Sequence, residues 1–240
     1  MSKYSINEKE YPGVTTVLGI LSKGDALKQW AVNCAIDYIK ENYEKCIGIH
    51  EVFDLFNFAK KEWKTARDEA MDIGSEVHGL IEQHIKDDRI KLPTKLRPEV
   101  ENGFWAFKEW ESKNIDKWIE SEQTVCCDEY GYAGTLDAIA KLKDGKIYLI
   151  DFKASKGFYD EYAMQVSAYK YARMERQDIK IQGIGVLRLD KETGIPEWKD
   201  YTDKYDRSIM AFQKLIEFYY AQKKRRLKNN PFIYDTKTPA

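Results

Sequence analysis

The chain contains no apolar run approaching the roughly 20 residues needed to cross a bilayer. Its opening, MSKYSINEKEYPG, has neither the apolar core of a secretory signal nor the Arg-rich, acid-poor character of a transit peptide. A cytoplasmic protein with no membrane partner is therefore expected. Cysteine is scarce, and Cys34, Cys46, Cys126 and Cys127 form neither a C-x-x-C pair nor a disulfide framework. Neighbouring Cys126 and Cys127 would point to opposite faces of a strand, so a regular strand cannot turn both to one metal ion. Net charge is nearly absent, at −1, and any attraction for a polyanion has to come from a local basic surface. The phosphate-loop pattern Gly-x-x-x-x-Gly-Lys-[Ser/Thr] is missing, which argues against a bound nucleotide and a helicase motor. With no internal repeat, low-complexity segment or Pro/Gly/Ser linker, residues 1–240 read as a single domain.

What is present describes a folded chain. A composition 43% hydrophobic and 33% charged fits a globular protein of 240 residues, long enough to bury a core without disulfide or zinc support. From residue 15 to about 117 apolar residues recur at three- and four-residue spacing, which predicts a mainly helical part over residues 1–117. Asp25 suits the N-cap of one helix, Pro98 the first turn of another, and a long helix between them should run from Trp63 past His78 towards Ile85. The period then changes to two. Residues 118–127, 132–142 and 146–152 read as strands, the last two joined by the Gly-containing turn Lys143-Asp-Gly145. A helix over 161–176, a strand over 182–189 and a helix over 205–227 follow. Together they make an α/β core over 118–228, and 229–240 reads as a weakly ordered tail.

The chemistry concentrates in Tyr148-Leu-Ile-Asp-Phe-Lys153, an apolar strand in which Asp151 and Lys153 share one face while Ile150 and Phe152 point to the other. An acid-x-Lys triplet is weak by itself, since composition alone supplies about five; Asp144-Gly-Lys146 and Asp178-Ile-Lys180 are such matches. The preceding strand distinguishes this one. Asp137 lies in the otherwise uncharged stretch Tyr132-Ala-Gly-Thr-Leu-Asp-Ala-Ile-Ala140, and a buried carboxylate needs a cation, an ionic partner or a raised pKa. Two readings answer that need equally well: a metal ion shared with Asp151, or a structural Asp137–Lys153 ion pair between neighbouring strands.

Beyond Asp137 and Asp151-Phe-Lys153, the chain carries Gly74-Ser-Glu-Val-His78 and Gln165-Val-Ser-Ala-Tyr169, and opens with Tyr11-Pro-Gly-Val-Thr-Thr-Val-Leu. In this order and over residues 11–169, these segments resemble the motifs of the PD-(D/E)XK nuclease superfamily, in its RecB-type and phage exonuclease branch. Without the resemblance, His78 would be an ordinary helical histidine, and Gln165 and Tyr169 two residues one turn apart. The resemblance implies a restriction-endonuclease-like core with a central mixed sheet flanked by helices, and an elaborated helical N-terminal half. It further implies a metal site of His78, Asp137, Asp151 and the Phe152 carbonyl, with Asp137, Asp151 and Lys153 as catalytic residues. Gln165 and Tyr169 would contact the scissile strand. Carboxylates with water suit Mg²⁺ or Mn²⁺ rather than zinc. No cysteine follows Cys127, so the iron–sulfur cluster of some relatives is not expected.

Glu122 and Glu82 are second candidates, for water-mediated metal contacts or for orienting His78, against the plainer role of solvated acids. The basic run Lys223-Lys-Arg-Arg226 suits the C-terminal end of a helix as well as a phosphate backbone, and Trp30, Trp63, Trp105 and Trp110 suit a core as well as base stacking. The implied activity is metal-dependent DNA exonuclease action on single- or double-stranded ends, with a phage or host recombination or replication protein as partner. The alternatives are a structure-specific endonuclease of the same fold, a nucleic-acid-binding module without catalysis, and a helical adaptor that binds no metal.

Overall fold

The computed structural model describes residues 3–21, 24–87, 92–176 and 178–223, and for 24–27 the backbone alone. It divides into two compact units, Met1–Ile20 with Val77–Ala240, and Leu21–Glu76. The smaller unit contains helix α2 (Gly24–Asn42), a 3₁₀ turn at Tyr43–Lys45 and the greater part of α3 (Ile49–Lys86). Helix α3 starts well before residue 63. Nothing in 49–62 breaks a helix, since the stretch holds neither proline nor glycine. The expected cap at Asp25, the run 224–226 and the tail 229–240 lie outside the described side chains.

The larger unit is built on a five-stranded mixed sheet in the order β3 (Ile115–Cys127), β4 (Tyr132–Leu142), β5 (Ile147–Lys153), β6 (Gly183–Leu189), β7 (Pro196–Asp200). β3–β4, β4–β5 and β6–β7 pair antiparallel, whereas β5 and β6 are parallel. A parallel pair needs a long crossover, and α5 (Asp160–Met174) supplies it. The β4–β5 hairpin turns where the sequence indicates. Gly145, at φ +87°, takes the left-handed backbone the turn requires, and its N–H donates to Leu142 O at 2.9 Å. On one face α4 (Pro98–Asn114) packs against β6, β7 and β3; α5 packs along β3 to β6, backed by α6 (Tyr205–Lys223) and the short α1 (Val14–Leu18). Pro98 occupies the first turn of α4, with Glu99 and Glu101 at the positive end of the helix dipole.

Three strands go beyond the sequence reading, for identifiable reasons. β1 (Lys3–Ile6) and β2 (Lys9–Pro12) form a hairpin through Asn7 and Glu8, both at positive φ, and Glu8 is not a residue that announces such a turn. β7 is an edge strand that begins with Pro196 and alternates poorly. Register irregularities between Ile115 and Lys117 and between Trp118 and Glu120 break the alternation at the start of β3, which begins at Ile115 and not at residue 118. Among the described residues, no helix is long and apolar enough to cross a membrane.

Candidate metal centre

The β4–β5 ladder runs regularly from Lys141↔Ile147 to Ala138↔Ile150 and ends there. One step further the facing residues are Asp137 and Asp151. The sheet's next backbone bond is replaced by a side chain, because Asp137 Oδ2 accepts the Phe152 N–H at 2.7 Å. Phe152 turns the other way, its ring edge-on to Phe107 (5.6 Å) and Trp118 (6.3 Å). The apolar packing of Phe152 thus sets the backbone that holds Asp137.

Asp151 is 1% exposed. Its Oδ1 accepts Gln165 Nε2–H at 3.0 Å, and its Oδ2 lies 2.5 Å from Lys153 Nζ. Burial raises its pKa to about 6, with Lys153 opposing and the Asp137 charge adding. For Lys153, burial alone would lower the pKa, but Asp151 and Asp137 outweigh it and hold the ammonium charged. Lys153 also lies 5.4 Å from the centre of the Tyr162 ring. The ion pair formed is Lys153–Asp151, and not the Asp137–Lys153 pair that the sequence left open.

His78 comes from α3 and Glu122 from β3. His78 Nδ1 is 3.7 Å from Asp137 Oδ2, with the ring edge-on to Phe152 at 6.1 Å. Glu122 lies between the pairs Ser121↔Ala138 and Gln123↔Leu136, which sets it opposite Asp137, and it has a left-handed backbone at φ +51°. For a residue with a Cβ this conformation costs about 1–3 kcal/mol and is common where a site dictates the chain path. His78, Glu122 and Asp137 each offer one ligand atom, all within 4.8 Å of one another. Burial, then Asp137, then Glu82 raise the Glu122 pKa to about 7, against His78 and Lys86.

This donor set fits a divalent cation. An ion with bonds of about 2.1 Å holds opposite ligand atoms about 4.2 Å apart and neighbouring ones about 3.0 Å apart, so the three side chains would have to draw in around it. Two carboxylates confined beside each other, one with a proton affinity near neutrality, are the arrangement that a cation relieves.

The structure places His78 beside Asp137 and brings Glu122, a second candidate in the sequence, into the same cluster. Asp151 stands apart from it, facing Asp137 but engaged by Gln165 and Lys153. Glu82 is ion-paired with Lys86 and acts on Glu122 through its charge. Gln165 and Tyr169, expected at the scissile strand, are buried at 7% and 4% exposure. Gln165 Nε2 donates to Asp151 and, at 3.3 Å, to the Tyr169 hydroxyl. Both side chains are thus turned to a site carboxylate. Among the tryptophans, Trp110 is buried, Trp30 and Trp63 are intermediate, and Trp105 is exposed. The signal for Glu122 was in the sequence. With a four-residue turn at 128–131, counting back from Cys127↔Tyr132 brings Glu122 opposite Asp137. No known protein-family model matches the chain, and a search of curated proteins finds no match.

Proposed function

We propose that the protein is a Mg²⁺- or Mn²⁺-dependent DNA nuclease of PD-(D/E)XK type that hydrolyses phosphodiester bonds, as an exonuclease. The observation that carries this reading is the convergence of Asp137, Asp151 and Lys153 at the end of the β4–β5 ladder, with His78 and Glu122 closing around Asp137. Asp137, Asp151 and Lys153 meet within one hairpin, whereas His78 lies 59 residues before Asp137 in sequence, and its approach to Asp137 is what the resemblance requires.

His78, Glu122 and Asp137 would hold the ion, with Asp151 and the Phe152 carbonyl beside it; that carbonyl leaves the strand on the same side as the N–H bound to Asp137. When bound, the ion supplies Lewis-acid polarisation of a phosphate oxygen and lowers the pKa of a coordinated water. Lys153 keeps its positive charge beside Asp151, so it offsets negative charge developing at phosphorus. Gln165 locks the Asp151 carboxylate, and Tyr169 locks Gln165.

The test is digestion of labelled linear DNA with Mg²⁺ or Mn²⁺. Asp137→Asn, Asp151→Asn and Lys153→Ala should each lower the rate by at least about 100-fold in proteins that still fold, because each removes a ligand or a charge on which the transition state depends. Cleavage at the unaltered rate in any of these variants would sink the assignment. Strand binding with no cleavage by the unaltered protein under either ion would favour the binding-module alternative.

A further inference from the structure

Behind α5, on the side away from the metal centre, is a cavity of about 230 Å³. Asp160, Ala163 and Met164, spaced i, i+3, i+4, contribute one wall. Gln165 and Tyr169 leave the helix close to the opposite side, towards Asp151. The end of β7, the 3₁₀ connection through Lys204 and the first two turns of α6 supply the remaining walls, and their chemistry is cationic. Lys199, Lys204 and Arg207 all line the space, and among the described residues none has a carboxylate within 4.0 Å. The ammonium groups of Lys199 and Lys204 both lie over the Tyr201 ring, at 5.4 and 5.8 Å from its centre. Two like charges gathered on one ring repel each other, and Asp160 is the only acid in the lining.

Two further groups indicate what the cavity takes. Ser208 and Tyr201 are 8% and 3% exposed, both line the cavity, and among the described residues neither hydroxyl has a hydrogen-bond partner. Neither oxygen is sealed from solvent, so each hydroxyl is free to donate to a ligand in the cavity. Ser208 also sits in the first turn of the 19-residue α6, where the helix dipole favours an anion. Three cations, two unpartnered hydroxyl donors and a helix N-terminus surround a space that fits a tetrahedral oxyanion and its substituents.

We propose that this cavity binds a phosphate group, and that in the nuclease it anchors a backbone phosphate of the substrate strand on the far side of α5 from the scissile bond. The second half of the proposal rests on the nuclease reading; the first does not. A helix with its side chains is about 10 Å across, which places the anchored phosphate a few nucleotides from the metal centre. Asp160 limits the affinity and keeps the site from being saturated by any small anion.

The experiment uses the full chain and two probes: inorganic phosphate by calorimetry, and a fluorescent single-stranded 20-mer by anisotropy without divalent ions, over a range of salt. The triple variant K199Q/K204Q/R207Q should lose phosphate binding and weaken the 20-mer at least about ten-fold, and the slope of log K against log salt should fall by about 0.7 for each phosphate that is no longer neutralised. Metal-dependent hydrolysis of the small diester bis(p-nitrophenyl) phosphate should stay unchanged. S208A, which alters no charge, should weaken phosphate several-fold, and D160N should tighten it; these two carry the test if the triple variant melts early. Unchanged phosphate and 20-mer binding in all variants overturns the proposal. Loss of phosphate binding with an unchanged 20-mer slope overturns the strand assignment and leaves a free phosphate compound as ligand. If the unaltered protein cleaves neither DNA nor the diester while phosphate binding still depends on these residues, the nuclease reading falls and the cavity stands.

Discussion

Among the described carboxylates, Glu122 and Asp151 are the two whose pKa the surroundings raise, to about 7 and about 6. In an unfolded chain such groups titrate near 4. Raised folded-state values mean that the folded protein retains protons which the unfolded chain has released. Stability is therefore fullest below about pH 4 for these two groups and declines as the pH rises through 6 and 7. Burial is the first cause in both, with the negative charge of Asp137 adding to it, so a cation in the cluster should reverse the loss. Without divalent ions, the melting temperature should fall between pH 5.5 and pH 8, and Mn²⁺ should restore more of it at pH 8 than at pH 5.5. Glu122→Gln should flatten the metal-free decline and shrink the Mn²⁺ response, readable as a shift of about 2–4 °C per kcal/mol. An identical Mn²⁺ response in that variant would remove Glu122 from the cluster.

At the scale of elements, Gly134 couples β4 to α5. A Cβ at this position would stand 2.5 Å from Tyr169 Cε1, and Tyr169 is buried with its hydroxyl against Gln165. Gly134→Ala should cost about 1–3 kcal/mol in thermal or denaturant unfolding. Because the displaced ring is bonded to Gln165, under the nuclease reading DNA cleavage should fall more than stability alone accounts for; equal cleavage at a temperature where both proteins are folded would uncouple the two elements. Much at this scale was legible in the chain. Lys143-Asp-Gly145 marked a hairpin, and the change of apolar period at residue 118 marked the sheet, because a half-buried pleated strand needs alternation. Edge elements were hidden. β7 starts with a proline and carries polar residues, the β1–β2 turn uses Glu8 at positive φ, and the irregular start of β3 scrambles its own pattern. The candidate cluster was half legible. Asp137 stood out as a charge in an apolar strand, whereas Glu122, in the acid-rich run Glu120-Ser-Glu-Gln, needed the register of a hairpin to reveal it.

For the whole molecule, the division of the chain departs from composition. Sequence periodicity grouped residues 1–117 as one helical part, yet Val77 onwards belongs with the sheet and Leu21–Glu76 forms a unit of its own. Of the two boundaries, the one at residues 76 and 77 falls inside the continuous helix α3, so no linker or proline announces it. The activity of the whole protein is also testable as a whole. Under the exonuclease reading, linear duplex should be degraded while covalently closed circles of the same sequence persist in one reaction. Equal rates on relaxed circles and linear DNA would assign the protein to the endonuclease alternative.

The two-sidedness of α5 bears on how this fold tolerates changes in length. Tyr162, Gln165 and Tyr169 serve the side of the helix that faces Asp151 and Lys153, and Asp160, Ala163 and Met164 the cavity side. One residue inserted after Met164 would rotate everything downstream by about 100°, carrying Gln165 and Tyr169 away from Asp151 while every side chain is still present. Under the nuclease reading, an alanine inserted there should abolish DNA degradation, and it should lower the melting temperature sharply. The same insertion beside Thr193, in the exposed turn between β6 and β7, should leave both nearly intact. Changes of length should therefore be tolerated in the turns of this chain and not within α5.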